Sequence, residues 1–385
     1  MIKFGFRESL LFPSLFVLFL ALRRIIKYFL ENYVLNDKKV SFLLVFIMFL
    51  FEIIISSIFI FFRNFRNKSG VKSQFMGIAL NENSETSKAL ERPDSNLKII
   101  ILTIFAAYFE IVGAISRRYL TDSETNSDIY DEFHAKYRSS EIFIASILCY
   151  FTLKIKIYKH QTFSLIIILV CLIIVFGTEL IVKENLWFNL LITLISSTCR
   201  AFLDTIEKYL FDTNFIDIFK ITLFEGIVDL IFSSCLYLFN KPQNELRQLF
   251  KLETKKFYIA LILLTIYAIL SGFKNINRRY TVKLYSPMTR ALFESILDPF
   301  FIIYGFSQDK NKEDKNSLIL FIVTLICSII MVFCSCIYNE IFVLFCFGLE
   351  EDTHLHVSKV KNLELSEAEV NTNLEEEEEE NQSVL

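Results

Sequence analysis

Histidine occurs only four times in 385 residues, at His134, His160, His354 and His356, and none stands in a pattern with serine and an acid that would support nucleophilic catalysis. No enzyme is expected. The eight cysteines (Cys149, Cys171, Cys199, Cys235, Cys327, Cys334, Cys336 and Cys346) show neither a CxxC spacing nor histidine partners at metal-ligand spacing, and all lie in or at the edge of apolar runs. They read as small core hydrophobes, with no metal and no cofactor implied. Strict alternation of apolar and polar residues is missing too, which excludes a membrane β-barrel.

What the chain does have is apolar sequence in long blocks. Hydrophobic residues make up 54% of it and the mean hydropathy is +0.46, well above a soluble domain. The runs repeatedly approach the ~20 residues needed to cross a hydrocarbon core of ~30 Å. Ten transmembrane helices are expected, near 9–22, 40–62, 98–116, 139–158, 162–182, 186–206, 218–239, 256–276, 287–307 and 317–346. The expected fold is therefore an all-α polytopic membrane protein. The first run follows Lys3 and Arg7 as a signal peptide would, but it ends in Arg23 and Arg24 without a small-residue cleavage site, so it reads as a retained span.

Two polar segments interrupt this pattern. Residues 63–97 open with Arg63, Arg66, Lys68 and Lys72 and pass into a Ser/Asn/Glu-rich stretch, as expected of a mobile cytosolic loop. Its basic start either lies on anionic membrane lipids or is a solvated positive-inside flank. Residues 349–385 end in six glutamates, Glu375 to Glu380, and have no core-forming pattern, so a disordered acidic cytosolic tail is expected, either solubilising or a binding segment. Lys and Arg are nearly balanced between the two sides. Cytosolic termini are favoured because the basic loops Lys154 to Lys159 and Lys274 to Lys283 then share the cytosol with the long loop.

The chain also repeats itself. Ile115-Ser-Arg117-Arg118-Tyr119 closes the third apolar run and Ile276-Asn-Arg278-Arg279-Tyr280 closes the eighth. Each is followed by a run carrying Ser-Ile-Leu-x-x-Phe, at Ser146 to Phe151 and Ser295 to Phe300. Two matches in the same order point to an internal duplication, with a first five-helix repeat over 1–182 and a second over 183–348. Five spans between copies is an odd number, so the second copy is inverted in the membrane. Arg118 and Arg279 are then expected near opposite faces, at symmetry-related cavity mouths. Duplicated membrane domains of this kind commonly hold a substrate site between their repeats.

Ionisable residues inside the apolar runs must face the bundle interior, because each costs roughly 2.5 to 3.5 kcal/mol at mid-bilayer on insertion scales. Arg290, Glu294 and Asp298 recur every four residues, along one helical face. Arg200, Asp204 and Lys208 do the same in span six, with Glu207 alongside, and span seven adds Glu225 and Asp229. Glu52, Glu110 and Glu179 sit in other spans, Glu141 opens span four, and Lys274 lies near the end of span eight. Two readings stand. Arg200 with Asp204 and Arg290 with Glu294 could pair along their own helices as structural glue, or the cluster lines a hydrated pathway. Ser286 is a good N-cap before Pro287, and Pro299 should kink the helix just after Asp298, so the positive end of a short helix lies near Arg290.

Tyr285-Ser-Pro-Met-Thr-Arg-Ala-Leu with Ile296-Leu-Asp-Pro-Phe resembles the ninth-span signature of eukaryotic members of the drug/metabolite transporter superfamily related to solute carrier family 35, the nucleotide-sugar transporter-like proteins. Glu207-Lys-Tyr-Leu, Phe224-Glu-Gly226, Tyr338-Asn-Glu340-Ile and Tyr137-Arg-Ser-Ser-Glu141 are similar to other segments of the same proteins, so the resemblance covers roughly 98–350. It implies ten helices in two inverted five-helix repeats, cytosolic termini, residence in the Golgi, the endoplasmic reticulum or another endomembrane, and a central cavity lined by spans three, four, eight and nine. Nine glycines and 42 phenylalanines depart from the glycine- and alanine-rich spans of that family.

The favoured function is a secondary transporter or exchanger of a small polar, anionic, nucleotide-sugar-like metabolite working by alternating access. The expected substrate-binding residues are Arg290, Lys274, Glu294, Asp298, Arg200, Asp204, Glu110 and Glu141. The alternative is a non-transporting scaffold or sorting protein that acts through the loop 63–97 and the acidic tail. The expected partners are the small-molecule substrate and membrane lipids, with a homodimer allowed and no nucleic acid. The sequon Asn67-Lys-Ser69 tests the orientation: with cytosolic termini Asn67 stays unglycosylated, and an endoglycosidase-sensitive band shift that disappears in Asn67→Gln contradicts it.

Overall fold

The computed structural model describes residues 2–4, 11–30, 34, 41–68, 96–123, 139–155, 157–182, 186–240, 249–308, 315–344, 348–349 and 353. In chain order the helices are α1 (Leu11–Phe29), α2 (Ser41–Lys68), α3 (Asn96–Ser123), α4 (Ser139–Thr152), α5 (Lys159–Val182), α6 (Leu186–Asn214), α7 (Ile218–Asn240), α8 (Thr254–Leu284), α9 (Pro287–Ser295), α10 (Asp298–Gln308) and α11 (Lys315–Tyr338). One short antiparallel ladder pairs β1 (Ile2–Phe4) with β2 (Phe342–Leu344), Ile2 opposite Leu344. The ladder ties the start of the chain to the segment after the last helix.

Five stretches are long and apolar enough to cross a membrane: Leu43–Phe65, Asn96–Gly113, Lys159–Leu180, Thr254–Leu284 and Leu318–Tyr338, in α2, α3, α5, α8 and α11. The chain is thus a helical, multi-pass membrane protein. Its helices present Ile and Phe outward, as at Phe105, Ile166, Ile173, Ile262 and Ile329, where lipid rather than water is the natural solvent. The apolar contacts within the bundle are correspondingly local. Leu43, Leu44, Leu264 and Tyr267 knit α2 to α8, while Ile168, Cys171 and Val175 of α5 meet Cys327, Met331 and Cys334 of α11. These cysteines are the small core residues expected, whereas Cys235 is exposed and Cys346 lies outside the described residues.

Each expected apolar run overlaps a helix, but the fourth helix stops at Thr152 rather than 158, and the last part of the tenth run forms β2 after a helix that stops at Tyr338 rather than 346. The helix of the ninth run breaks between Ser295 and Asp298, not after Asp298. Proline removes the N–H that would bond the carbonyl four residues back and its ring crowds that carbonyl, so Pro299 acts on Ser295 and then sits comfortably in the first turn of α10. The eighth helix runs past 276 to Leu284, and its extension from Asn277 to Val282 is almost wholly buried. The third apolar run likewise continues, as α3, to Ser123, although the side chains of Arg117, Arg118 and Tyr119 lie outside the described ones. Of the expected loop 63–97, residues 63–68 continue α2 and residues 69–95 lie outside the described residues, as does the tail apart from Leu349 and Thr353.

Helix neighbours fix where the site forms. α3 packs on α6 and α1 on α8; α2 packs on α7 and on α8; α3 also meets α7; α4 meets both α6 and α9; α1 also touches α9; α5 lies against α11. Two of the rare glycines mark close approaches to α2. A Cβ on Gly272 of α8 would stand 2.5 Å from Ile55 Cδ1, and one on Gly226 of α7 would stand 3.1 Å from Ile53 Cγ1. Small residues let helix backbones approach where lipid provides no hydrophobic drive for association. Gly272→Val is expected to destabilise the detergent-solubilised protein by about 1 to 3 kcal/mol through overpacking. Because the obstructing atom is the end of a flexible side chain, Ile55→Ala in the same chain should restore part of the lost thermal stability; no rescue would place the cost elsewhere.

Candidate functional site

The interior charges expected from the sequence meet in one place. α6 turns Arg200, Asp204, Glu207 and Lys208 to its buried face, α8 contributes Lys274, Arg278 and Arg279, and α9 contributes Arg290 and Glu294. From the first half of the chain come carboxylates: Glu52 of α2, Glu110 of α3 and Glu141 of α4. Arg290 is 1% exposed and Arg279 fully buried.

Arg290 sits among three acids. Its Nε donates to Asp204 Oδ2 at 2.6 Å and its Nη1 to Glu294 Oε2 at 2.8 Å, while Nη2 reaches both Asp204 and Glu141. Arg200 shares two of these acids, donating to Glu294 Oε1 at 3.1 Å and lying 3.6 Å from Glu141 Oε2. Arg278 bridges Asp204 and Glu207 with two donations of 2.6 Å. Arg279 gathers carboxylates from four helices: its Nε donates to Glu207 at 3.0 Å, its Nη2 donates to Glu225 and lies 3.6 Å from Glu110, and its Nη1 lies 3.9 Å from Glu52. The bonds form one continuous chain of charge from Glu52 to Arg200, crossing seven helices. Planar guanidinium groups suit it, since each can satisfy several carboxylates at once.

Glue within single helices is only part of this. The pair Arg290 with Glu294 does form along α9, but Arg200 and Asp204 turn to partners on other helices. Asp298, 2% exposed, is not among the carboxylates bonded to Arg290, because the chain breaks between Ser295 and Asp298 and the four-residue spacing no longer carries it along the same face. Arg279 is not at a cavity mouth as expected. The helix that carries it continues inward-facing beyond 276, so the arginine reaches the acids of α2, α3, α6 and α7. The start of α9 is as expected: Ser286 Oγ accepts from Thr289 N at 3.0 Å and Pro287 opens the helix.

Lys274 differs from the four arginines. It is 6% exposed, yet among the described residues it forms no hydrogen bond and no ion pair within 4.0 Å. The charges acting on it most strongly are Arg23, Glu294, Arg200 and Arg278, three of its own sign and one opposite. Arg23 of α1 has no carboxylate partner among the described residues either; its guanidinium lies 5.6 Å from the ring centre of Tyr267 and 3.7 Å from the sulfur of Met48. Two cations thus stand together where α1 meets α8. Lys274 was legible as a buried charge, whereas Arg23 read only as the end of the first run.

A groove at α4, α5 and α6, lined by Ser140, Leu172, Ile173, Phe176, Leu190 and Leu194, is apolar and shares none of these charges. Among the described residues no three His, Cys, Asp or Glu side chains are spaced to hold a metal ion. No protein-family model matches this chain, and no curated protein matches it.

Removing one member of a buried charge pair costs about 3 to 5 kcal/mol, because the partner is left without compensation. Arg279→Leu, which strands four carboxylates, should therefore sharply reduce the yield of folded protein. Arg63 and Asp217 also form a close pair, at 2.6 Å, but their side chains are 45% and 22% exposed. For Arg63→Gln a loss below about 1 kcal/mol is expected. Thermal unfolding of both variants in detergent, read by fluorescence-detected gel filtration, checks the contrast.

Proposed function

We propose that this chain is a secondary transporter or exchanger of a small polar, anionic metabolite, built as ten membrane helices in two inverted five-helix repeats. The observation that carries the reading is Lys274, a buried lysine that among the described residues makes no ion pair within 4.0 Å, whereas the buried arginines Arg200, Arg278, Arg279 and Arg290 are each bound to carboxylates. A buried cation left unpaired by the protein is costly, and an anionic substrate group supplies the missing charge. In this reading Lys274 and Arg23 receive that group, Arg200, Arg290, Asp204, Glu141, Glu294 and Asp298 form the polar wall around it, and Glu110 is connected to that wall through Arg279.

The helix packing supports the repeats. If α1 to α5 correspond to α6, α7, α8, the α9 and α10 pair, and α11, then α3 on α6 exchanges with α1 on α8, α2 on α8 with α3 on α7, and α4 on α6 with α1 on α9. The contacts of α2 with α7, α4 with α9 and α5 with α11 map onto themselves. The same correspondence aligns Ile115 to Tyr119 with Ile276 to Tyr280, matched on the sequence alone. The ladder of β1 with β2 supports termini on one side, as an even number of crossings requires.

Bonds between the halves supply what alternating access needs. Glu52, Glu110 and Glu141 of 1–182 bind arginines of 183–348, so rocking one repeat against the other exchanges these pairs. A nucleotide-sugar-like substrate, a cytosolic position for both termini and an endomembrane location follow from the sequence resemblance, and so does the placement in the drug/metabolite transporter superfamily.

Purified protein in liposomes, screened with radiolabelled nucleotide sugars, nucleotides and amino acids, tests the reading. Lys274→Gln should reduce uptake of the accepted compound at least tenfold while the folded yield stays near wild type, since no ion pair is broken. Unchanged uptake would remove Lys274 from the site, and no uptake of any class by well-folded wild type would favour the scaffold reading.

A further inference from the structure

At the end of the charge chain opposite Arg200 the balance shifts toward acid. Arg279 is surrounded by Glu52, Glu110, Glu207 and Glu225, and Asp229 of α7 points into the same group. Asp229 is fully buried, and among the described residues neither of its carboxylate oxygens has a hydrogen-bond donor. The charges acting on it most strongly are three carboxylates, Glu110, Glu225 and Glu52, ahead of Arg279. Glu52 is also fully buried; among the described residues neither of its oxygens accepts a hydrogen bond, and Arg279 lies 3.9 Å away.

Every helix packed against α7 contributes to this surrounding. α2 presents Glu52, α3 presents Glu110 and α8 presents Arg278 and Arg279; α6 adds Glu207 through Arg279, and α7 itself adds Glu225. Around Arg279 the acids Glu52, Glu110, Glu207, Glu225 and Asp229 outnumber the bases Arg278 and Arg279.

We propose that Asp229, with Glu52 and Glu110, forms a proton-binding site within the membrane. A carboxylate ion stranded among like charges in a low-dielectric interior is far costlier than the neutral acid. One proton both removes a negative charge and supplies a donor, because the carboxylic O–H of Asp229 or Glu52 can give a hydrogen bond to a neighbouring carboxylate oxygen. The central guanidinium of Arg279 disfavours a metal cation at the same point. Polar side chains continue along the two helices that meet there. Glu225, Asp229 and Ser233 recur every four residues on α7, and Glu52 and Ser56 do so on α2, with Ser56 fully buried. If the protein is a transporter, this site couples proton movement to substrate movement, because Arg279 links it through Glu207 and Arg278 to Asp204 and Arg290. That clause rests on the proposed function; proton binding itself does not.

Infrared spectroscopy of the purified full-length protein during a pH titration tests proton binding without any transport assay. The wild type should show the carbonyl stretch of a buried protonated carboxylic acid at neutral pH. Asp229→Asn, an isosteric mimic of the neutral acid, should fold with wild-type yield and lose part of that band, whereas Asp217→Asn at the surface should leave it intact. Glu52→Gln is the second reading of the same group. A band unchanged in both Asp229→Asn and Glu52→Gln would overturn the proposal, and so would failure of both neutral variants to fold, since the site would then require its negative charge. Stabilisation of the wild type by sodium chloride but not choline chloride, abolished in Asp229→Asn, would assign the site to a metal cation and overturn it equally.

Discussion

A guanidinium group inside a membrane needs carboxylates around it, and carboxylates there need guanidinium groups. The interior of this bundle is organised by that mutual requirement. Arg279 and Arg290 each join acids from different helices, Arg278 of α8 holds two acids of α6, and Arg200 shares two acids with Arg290, so α2, α3, α4, α6, α7, α8 and α9 are held by one electrostatic chain. Apolar contacts alone would hold these helices less specifically, because lipid tails compete equally well for an Ile or Leu surface. The close approach of α2 to Gly226 and Gly272 brings Glu52 toward the centre and so serves the same end.

Charge is unevenly spread along the chain of contacts. Near α1 and α8, Lys274 and Arg23 lack carboxylate partners among the described residues; near α2, α3 and α7, acids exceed bases. Such segregation would be wasteful in a purely structural network, where pairing to neutrality is the cheapest arrangement. In the proposed function its two ends would take two ligands of opposite charge, an anion at one and a proton at the other, with the shared arginines as the physical connection between them. All four arginines come from the second half of the chain, and the first half contributes Glu52, Glu110 and Glu141. The interface between the proposed repeats is therefore where ion pairs would open and close.

Much of this was legible in the sequence. Long apolar runs located the helices, since nothing else satisfies the backbone in lipid, and the four-residue spacings of 200, 204 and 208 and of 290 and 294 located buried faces. What was not legible depended on tertiary contact. The spacing gave Arg200 a neighbour in Asp204, but helix crossing gave it Glu141 and Glu294 instead. Arg278 and Arg279 follow an apolar run that ends at Ile276, and only the inward face of an extended α8 turns them into the centre of the network. Pro299 announced a break, and its position at Ser295 follows from the carbonyl the proline leaves unbonded.

The central claim is that the interior charges are energetically one unit. A double-mutant cycle on Arg290 and Asp204, which lie 86 residues apart and on different helices, measures it most directly. Thermal stability in detergent of Arg290→Gln, Asp204→Asn and the double variant should show a coupling of about 1 kcal/mol or more, the double variant being less damaged than the sum of the single ones. Simple additivity would contradict the account, because two residues joined as the structure joins them cannot be removed independently.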